Sequence, residues 1–182
     1  LSVEHIARAA YDINGLPEDV EPGLEAVTHY VPELTFPFGA HLAIVEVDAE
    51  TGQVFLRKVV MVNDCGEVVN PMLVDGQVVG GAAQAIGQAL FESLEYDADG
   101  TLLTASFADY LIPTAAEMPD ILTDRTVTPA PNPLGAKGVG EASTIGLAQA
   151  VVNAVEDALG RSVEKTPLTP YMVWSILHAF EK

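Results

Sequence analysis

Gly135-Ala136-Lys137-Gly138-Val139-Gly140-Glu141 is the stretch on which the reading of this chain turns. Glycines at 135, 138 and 140 give a backbone that can take positive φ and lie close against another group. Glu141 follows directly, and a helical pattern opens just behind it, with Ser143 or Thr144 as the expected N-cap. Upstream, Pro129-Ala130-Pro131-Asn132-Pro133 excludes both helix and central strand. A stiff proline segment therefore delivers a pliable loop, and the loop presents a carboxylate at a helix entrance. Two readings are open at this point. The glutamate is merely solvated, as most are, or it is a placed, reactive carboxylate.

Behind the loop, Thr144 to Leu159 reads as a helix with Ile145, Ala148, Val152, Val155 and Leu159 as its core face and Gly160 as its stop. Thr169 and Pro170 open a last helix over Tyr171 to Phe180, with Trp174 and Ile176 in the core or at an interface. Ahead of the loop, Ile121 to Val127 and Leu102 to Phe107 read as strands. Val74 to Leu94 is a second glycine-rich stretch, here with helical periodicity. At 100° per residue Gly76, Gly80, Ala83, Gly87 and Leu90 share a stripe, with Gln77, Gln84 and Gln88 beside it. Each interior glycine costs a helix about 1 kcal/mol relative to alanine, so something requires bare backbone. Either another element packs closely there, or a ligand lies along the helix within reach of amides that donate and accept hydrogen bonds.

Further upstream, His41 to Val47 alternates as a strand, Asp48 to Gly52 is a hairpin turn, and Gln53 to Val62 returns as a second strand. Asn63 to Gly66 breaks it, and Asn70-Pro71 makes a further turn. Ser2 to Ile13 is a short helix, and residues 14–40 are a linker or covering arm with Tyr30, Phe36 and Phe38 as packing anchors.

The 182 residues, 49% hydrophobic, suffice for one domain with a real core. A net charge of −18 repels nucleic acid and anionic membranes. There is no run of about 18 apolar residues to span a bilayer, and the lone Cys65 fits a reducing, cytoplasmic setting. His5, His29, His41 and His178 are scattered without metal-ligand spacing, so no residue is read as a metal ligand. The glycine loop matches neither a phosphate loop nor a dinucleotide fingerprint.

Together these stretches resemble the molybdopterin-binding large subunit of the xanthine dehydrogenase family of molybdenum hydroxylases, above all aerobic carbon monoxide dehydrogenase and its aldehyde-oxidising relatives. The matching segments are Val45-Glu46-Val47-Asp48 with Thr51-Gly52, Asp64-Cys65-Gly66 with Asn70-Pro71, and Gly76-Gln77, Gly80-Gly81, Gln84 and Ile86-Gly87. Asp109-Tyr110 with Pro113, Gly135 to Glu141, and Pro167 to Pro170 complete them. They run in family order over nearly the whole chain, and the two glycine motifs are the specific ones.

The resemblance implies that Glu141 is the catalytic glutamate, taking a proton from a hydroxyl on molybdenum while oxygen attacks an electron-poor carbon and hydride passes to a sulfido ligand. It implies a cofactor cradle that includes Gly80, Gly81, Gln84, Lys137, Gly138 and Gly140. The metal is then held mainly by the pterin, as molybdopterin cytosine dinucleotide. Family large subunits are several times longer, so the chain corresponds to their C-terminal part and is expected to bind no cofactor tightly and show no hydroxylase activity alone. The implied partners are the upstream part of the large subunit, iron–sulfur and FAD-binding subunits, and a small-molecule substrate. One cysteine cannot hold an iron–sulfur cluster. The expected fold is α+β, antiparallel strands with packed helices, in a single domain over residues 1–182. The competing reading is a non-catalytic structural or interaction domain of a larger complex, which gains if Glu141 points into solvent away from the glycine-rich helix.

Overall fold

The alternating stretch around His41 forms β1 (Phe38–Val47), which pairs antiparallel with β2 (Val54–Asp64). The turn between them holds Gly52 at φ 74°, where it meets the start of the last helix. His41, Ala43, Val45 and Val47 face inward, while Leu42 and Ile44 face out and are exposed. A register shift between Ile44 and Val45 sets Ile44 opposite Lys58 and Val45 opposite Leu56.

These elements belong to a computed structural model that describes residues 2–179. It falls into two units, Leu1–Pro32 and Glu33–Lys182. The first contains α1 (Val3–Ala10), capped by the Ser2 side chain on the His5 amide, and a return of the chain in which Gly23 donates to the Ala10 carbonyl. No residue of α1 is buried.

In the second unit the sheet has the order β1-β2-β3, with β3 over Asp120–Thr126. The expectation of antiparallel strands holds for β1 and β2 but not for β3, which runs parallel to β2. A parallel neighbour requires a crossover, and the long stretch between β2 and β3 carries one: the helix α2 (Pro71–Leu90). α2 begins earlier than its periodicity indicates. Asn70-Pro71, read as a turn, is its N-cap and first residue, with the Asn70 side chain accepting from the Leu73 amide.

α3 (Ala142–Leu159) packs against β1, β2 and α2, and stops at Gly160 with φ 63°. Its buried residues are Ser143, Leu147, Val151 and Val155, so the most buried face is rotated from the expected one, and Ile145 is 75% exposed. Gly146 is required by close approach: a Cβ there would lie 2.4 Å from Nδ1 of His41. Val59 and Met61 of β2 meet Val78, Ala82, Ala85 and Ile86 of α2 and Leu147 and Val151 of α3 in one core. Each fully buried Val, Leu, Ile or Met contributes about 1.5–3 kcal/mol relative to an exposed one.

α4 (Pro170–His178) buries Val173, and Trp174 stacks on His178 at 4.5 Å. The expected end of this helix at Phe180 lies outside the described residues. Leu102 to Phe107 is not a strand. It makes a single bridge, Leu102 to Tyr96, and has no ladder beyond it to reward its β propensity.

Candidate functional site

The glycine loop is fastened to the end of β2 by backbone and by one buried charge pair. Glu67 donates to the carbonyl of Gly135 at 2.9 Å, and Lys137 donates to the carbonyl of Cys65 at 2.7 Å. Gly66 and Gly135 both have positive φ, and a Cβ on Gly66 would lie 2.2 Å from the Gly135 oxygen. The two segments touch through bare backbone, which only glycine permits. Asn132 adds a side-chain amide bond to the carbonyl of Ala136 at 2.8 Å.

Inside this strap lies Asp64, fully buried, with Nζ of Lys137 at 2.8 Å. The Thr128 hydroxyl donates to the same carboxylate and accepts from Lys137, and the Gly66 amide donates at 2.8 Å. Burial by itself would oppose ionisation of Asp64. The Lys137 ammonium, the Thr128 hydroxyl and the backbone amides outweigh it and hold the carboxyl well below the usual carboxylate range. Lys137 also sits 5.0 Å above the ring centroid of Phe38.

Beyond Lys137 the loop runs out to Glu141, which is the N-cap residue of α3 and is exposed. Neither Ser143 nor Thr144 caps the helix. Ser143 is buried inside it, and the Thr144 hydroxyl is drawn across to the Gly81 carbonyl of α2 at 3.4 Å. The Glu141 carboxylate has no hydrogen-bond or ionic partner among the described residues. It lines a groove of about 380 Å³ with Thr144, Ile145, Ala148 and Gln149 of α3 and Gln88 of α2.

The two glycine-rich stretches therefore meet. A Cβ on Gly81 would lie 3.2 Å from the Ser143 Cβ and from the Thr144 hydroxyl, and one on Gly140 would lie 3.6 Å from Oε1 of Gln77. The glycines of α2 divide by cause. Gly81 and Gly87 are buried under close neighbours, so packing accounts for them. Gly76 and Gly80 are exposed with nothing within 4 Å of their Cβ positions among the described residues, so packing against those residues does not. Gln77 and Gln84 are exposed on the same helix.

Of the residues singled out from sequence, Gly80, Gln84, Gly138, Gly140 and Glu141 are exposed. Gly81 is buried at the α2–α3 crossing, and Lys137 is committed to Asp64 with its side chain 5% exposed. Asp64 and Thr128 escaped sequence reasoning. Asp64-Cys65-Gly66 reads as a strand break, and nothing local ties it to a lysine 73 positions on. Three buried polar atoms, His41 Nδ1, Asn63 Nδ2 and Ser143 Oγ, lack a protein partner among the described residues. No group of three or more His, Cys, Asp or Glu among those residues is placed to hold a metal, and no described helix is long and apolar enough to cross a membrane.

The sequence profile of a molybdopterin cofactor-binding domain matches residues 1–119. The carbon monoxide dehydrogenase large chain of Afipia carboxidovorans is 41% identical over 180 residues, covering 96% of this chain and 22% of that protein. The nicotine 6-hydroxylase large subunit of Paenarthrobacter nicotinovorans is 41% identical over 179 residues, covering 95% and 22%. The crystal structure of quinoline 2-oxidoreductase from Pseudomonas putida 86 superposes with a TM-score of 0.87 at 41% identity, covering 93% of this chain and 22% of that one. The chain thus spans about a fifth of the length of the relatives it matches.

Proposed function

The chain belongs to the molybdopterin cofactor-binding domain family of the xanthine dehydrogenase and carbon monoxide dehydrogenase large subunits, and from that premise we propose that it supplies the catalytic carboxylate and one wall of the cofactor cradle in a molybdenum hydroxylase. The observation that carries the reading is Glu141: an unpartnered carboxylate at the entrance of α3, lining the groove that α3 shares with α2. The competing reading as a non-catalytic interaction domain finds no support, since Glu141 opens beside the glycine-rich helix and not away from it.

The residues present fit the cofactor. Gly76 and Gly80 leave open backbone that none of the described residues fills, with Gln77 and Gln84 on the same helix as amide donors and acceptors. Gly138 likewise has open space around its Cβ position. We assign Gly80, Gln84, Gly138 and Gly140 to the cradle. Gly81 lets α2 approach α3, and Lys137 holds the loop. When bound, the cofactor supplies a molybdenum centre at which oxygen is transferred to a small substrate and electrons are taken up.

The chain's own part is proton handling and shape. Glu141 accepts a proton at its carboxylate, at a helix N-terminus that favours negative charge. Ile145, exposed in the same groove, supplies apolar surface beside it. We assign the cytosine dinucleotide form of the cofactor, iron–sulfur and FAD-binding partner subunits and a cytoplasmic location by analogy with the family. Carbon monoxide, an aldehyde and an aromatic nitrogen heterocycle are the candidate substrates. The test uses the full-length enzyme with its partners. Acid release of a cytidine nucleotide in one-to-one ratio with molybdenum supports the assignment. Full turnover by Glu141→Gln with normal metal content overturns it.

A further inference from the structure

We propose that Lys137 and Asp64 are positioning residues for Glu141, their buried ion pair fixing the point from which Gly138-Val139-Gly140 carries the carboxylate into the α2–α3 groove. This rests on the reading of Glu141 as the proton acceptor. The loop is tied down as far as Lys137 and sparsely thereafter. Gly135 and Lys137 bond across to Glu67, Cys65 and Asp64, and Ala136 accepts from Asn132 within the loop itself. After Lys137, Gly138 has open space around its Cβ position and Gly140 has Gln77 near its own, while the carbonyls of Val139 and Glu141 accept from Ala142 and Ile145 at the start of α3 and the Glu141 carboxylate has no partner among the described residues. Val139 alone in that span packs on the core. The last charged anchor before the candidate base is therefore Lys137, four positions upstream.

The choice of anchor matters. A buried ion pair is a poor way to gain stability, because desolvating both charges offsets their attraction, and apolar residues of similar volume do as well or better. What it provides is direction. The ammonium faces the Asp64 carboxylate, the Thr128 hydroxyl and the Phe38 ring at once. It thus ties the end of β2 and the segment after β3 to the loop. A shift of about 1 Å at a reacting group costs on the order of 100-fold in rate, so a rigid mount for Glu141 has a use that stability does not explain.

The experiment takes the full-length enzyme with its partner subunits. It compares wild type, the charge-balanced pair Lys137→Met/Asp64→Asn, Glu141→Gln, and all three changes together. Carbon monoxide, quinoline and an aliphatic aldehyde are offered with a dye as electron acceptor. Molybdenum content, kcat, KM and amide hydrogen exchange over residues 134–145 are read. The charge-balanced variant should keep its metal and its KM within about twofold, lose about 10- to 100-fold in kcat, and exchange the amides of Ala142 and Ile145, which bond to the Val139 and Glu141 carbonyls, about tenfold faster. Added to Glu141→Gln, it should cost no further rate, because both changes act through one group. Unchanged exchange at Ala142 and Ile145 overturns the proposal on any substrate or none. So does a loss that multiplies with that of Glu141→Gln. Normal turnover by Glu141→Gln instead sinks the underlying base reading, and is told apart by that variant alone.

Discussion

Asp64 and Lys137 meet at 2.8 Å with 0% and 5% of their side chains exposed, joining the end of the second strand to the loop that carries the candidate base. Neither charge has water to fall back on. Removing one leaves the other buried and uncompensated, which costs about 3–5 kcal/mol, whereas neutralising both with similar shapes is close to neutral. Lys137→Met should therefore lower the melting temperature of the full-length enzyme sharply, and Asp64→Asn in the same chain should recover most of the loss. Equal melting of the single and double variants would show that the pair is not buried in the assembled enzyme.

The same pair sets a pH dependence. The folded carboxyl of Asp64 is more acidic than its ordinary value of 3.8, burial opposing the shift and Lys137, Thr128 and the backbone amides driving it. A group made more acidic by folding lends stability that is complete above its unfolded pKa and is lost as pH falls toward the folded one. The stability gap between wild type and Asp64→Asn should stay constant from about pH 7 to 5 and narrow below about pH 4. Urea unfolding at a series of pH values reads it. A gap that narrows already between pH 7 and 5 would contradict the assignment.

The two glycines at the middle of α2 should respond in opposite ways to one added methyl. At Gly81 the new Cβ meets Ser143 and Thr144 at 3.2 Å, so Gly81→Ala should weaken the α2–α3 crossing and lower stability. At Gly80 nothing lies within 4 Å. Gly80→Ala should then leave the fold unchanged or firmer by up to about 1 kcal/mol, and Gly80→Leu should lower molybdenum content in the full-length enzyme. Full metal loading in Gly80→Leu would remove Gly80 from the cradle.

Gly66→Ala should be the most damaging single methyl in the strap. Its φ of 66° disfavours any side chain, and the new Cβ would sit 2.2 Å from the Gly135 carbonyl oxygen, a backbone atom that cannot swing away. The strained dihedral alone costs about 1–3 kcal/mol, and the clash adds to it. Amide exchange at Glu67 and Lys137, both bonded across the strap, should rise together. Protection unchanged at both would show that the loop is held from elsewhere.

Where the chain's order was legible, the signal was local. His41 to Val47 alternates because one face of β1 is buried, and Gly52 and Gly160 mark turns because their φ is positive. The two glycine stretches were brought together by the cradle that the resemblance implies, and they do meet. What stayed hidden depends on contacts between distant positions. The parallel direction of β3 is fixed by the path of α2 behind it, and its own alternation is the same either way. Ile145 fits a helical core stripe yet lies exposed in the groove, because α3 buries a wide face against both sheet and α2 and the groove takes the remainder. The pairing of Lys137 was hidden for the same reason: nothing beside it in the sequence points to Asp64, 73 positions away.

Glu141→Gln tests the centre of the reading. Gln keeps the size and hydrogen-bonding reach of Glu but cannot take up the proton, and general-base catalysis contributes about 100- to 10,000-fold. The loss should appear in kcat with KM little changed, since the groove lined by Gln88, Thr144 and Ile145 is untouched. Stability should not move, because the carboxylate has no partner among the described residues to lose. Metal content should not move either, since Glu141 is not assigned to the cradle. Glu141→Asp should also lose rate, through retraction of the carboxylate by one methylene. Glu46→Gln is the comparison: it removes an exposed carboxylate paired with Arg57 on the sheet, outside the groove, and should leave turnover as it was. Steady-state kinetics on a turned-over substrate, with molybdenum measured in each preparation, decides the matter. A fully loaded Glu141→Gln enzyme with near-normal kcat would leave Glu141 as the N-terminal residue of a helix and nothing more.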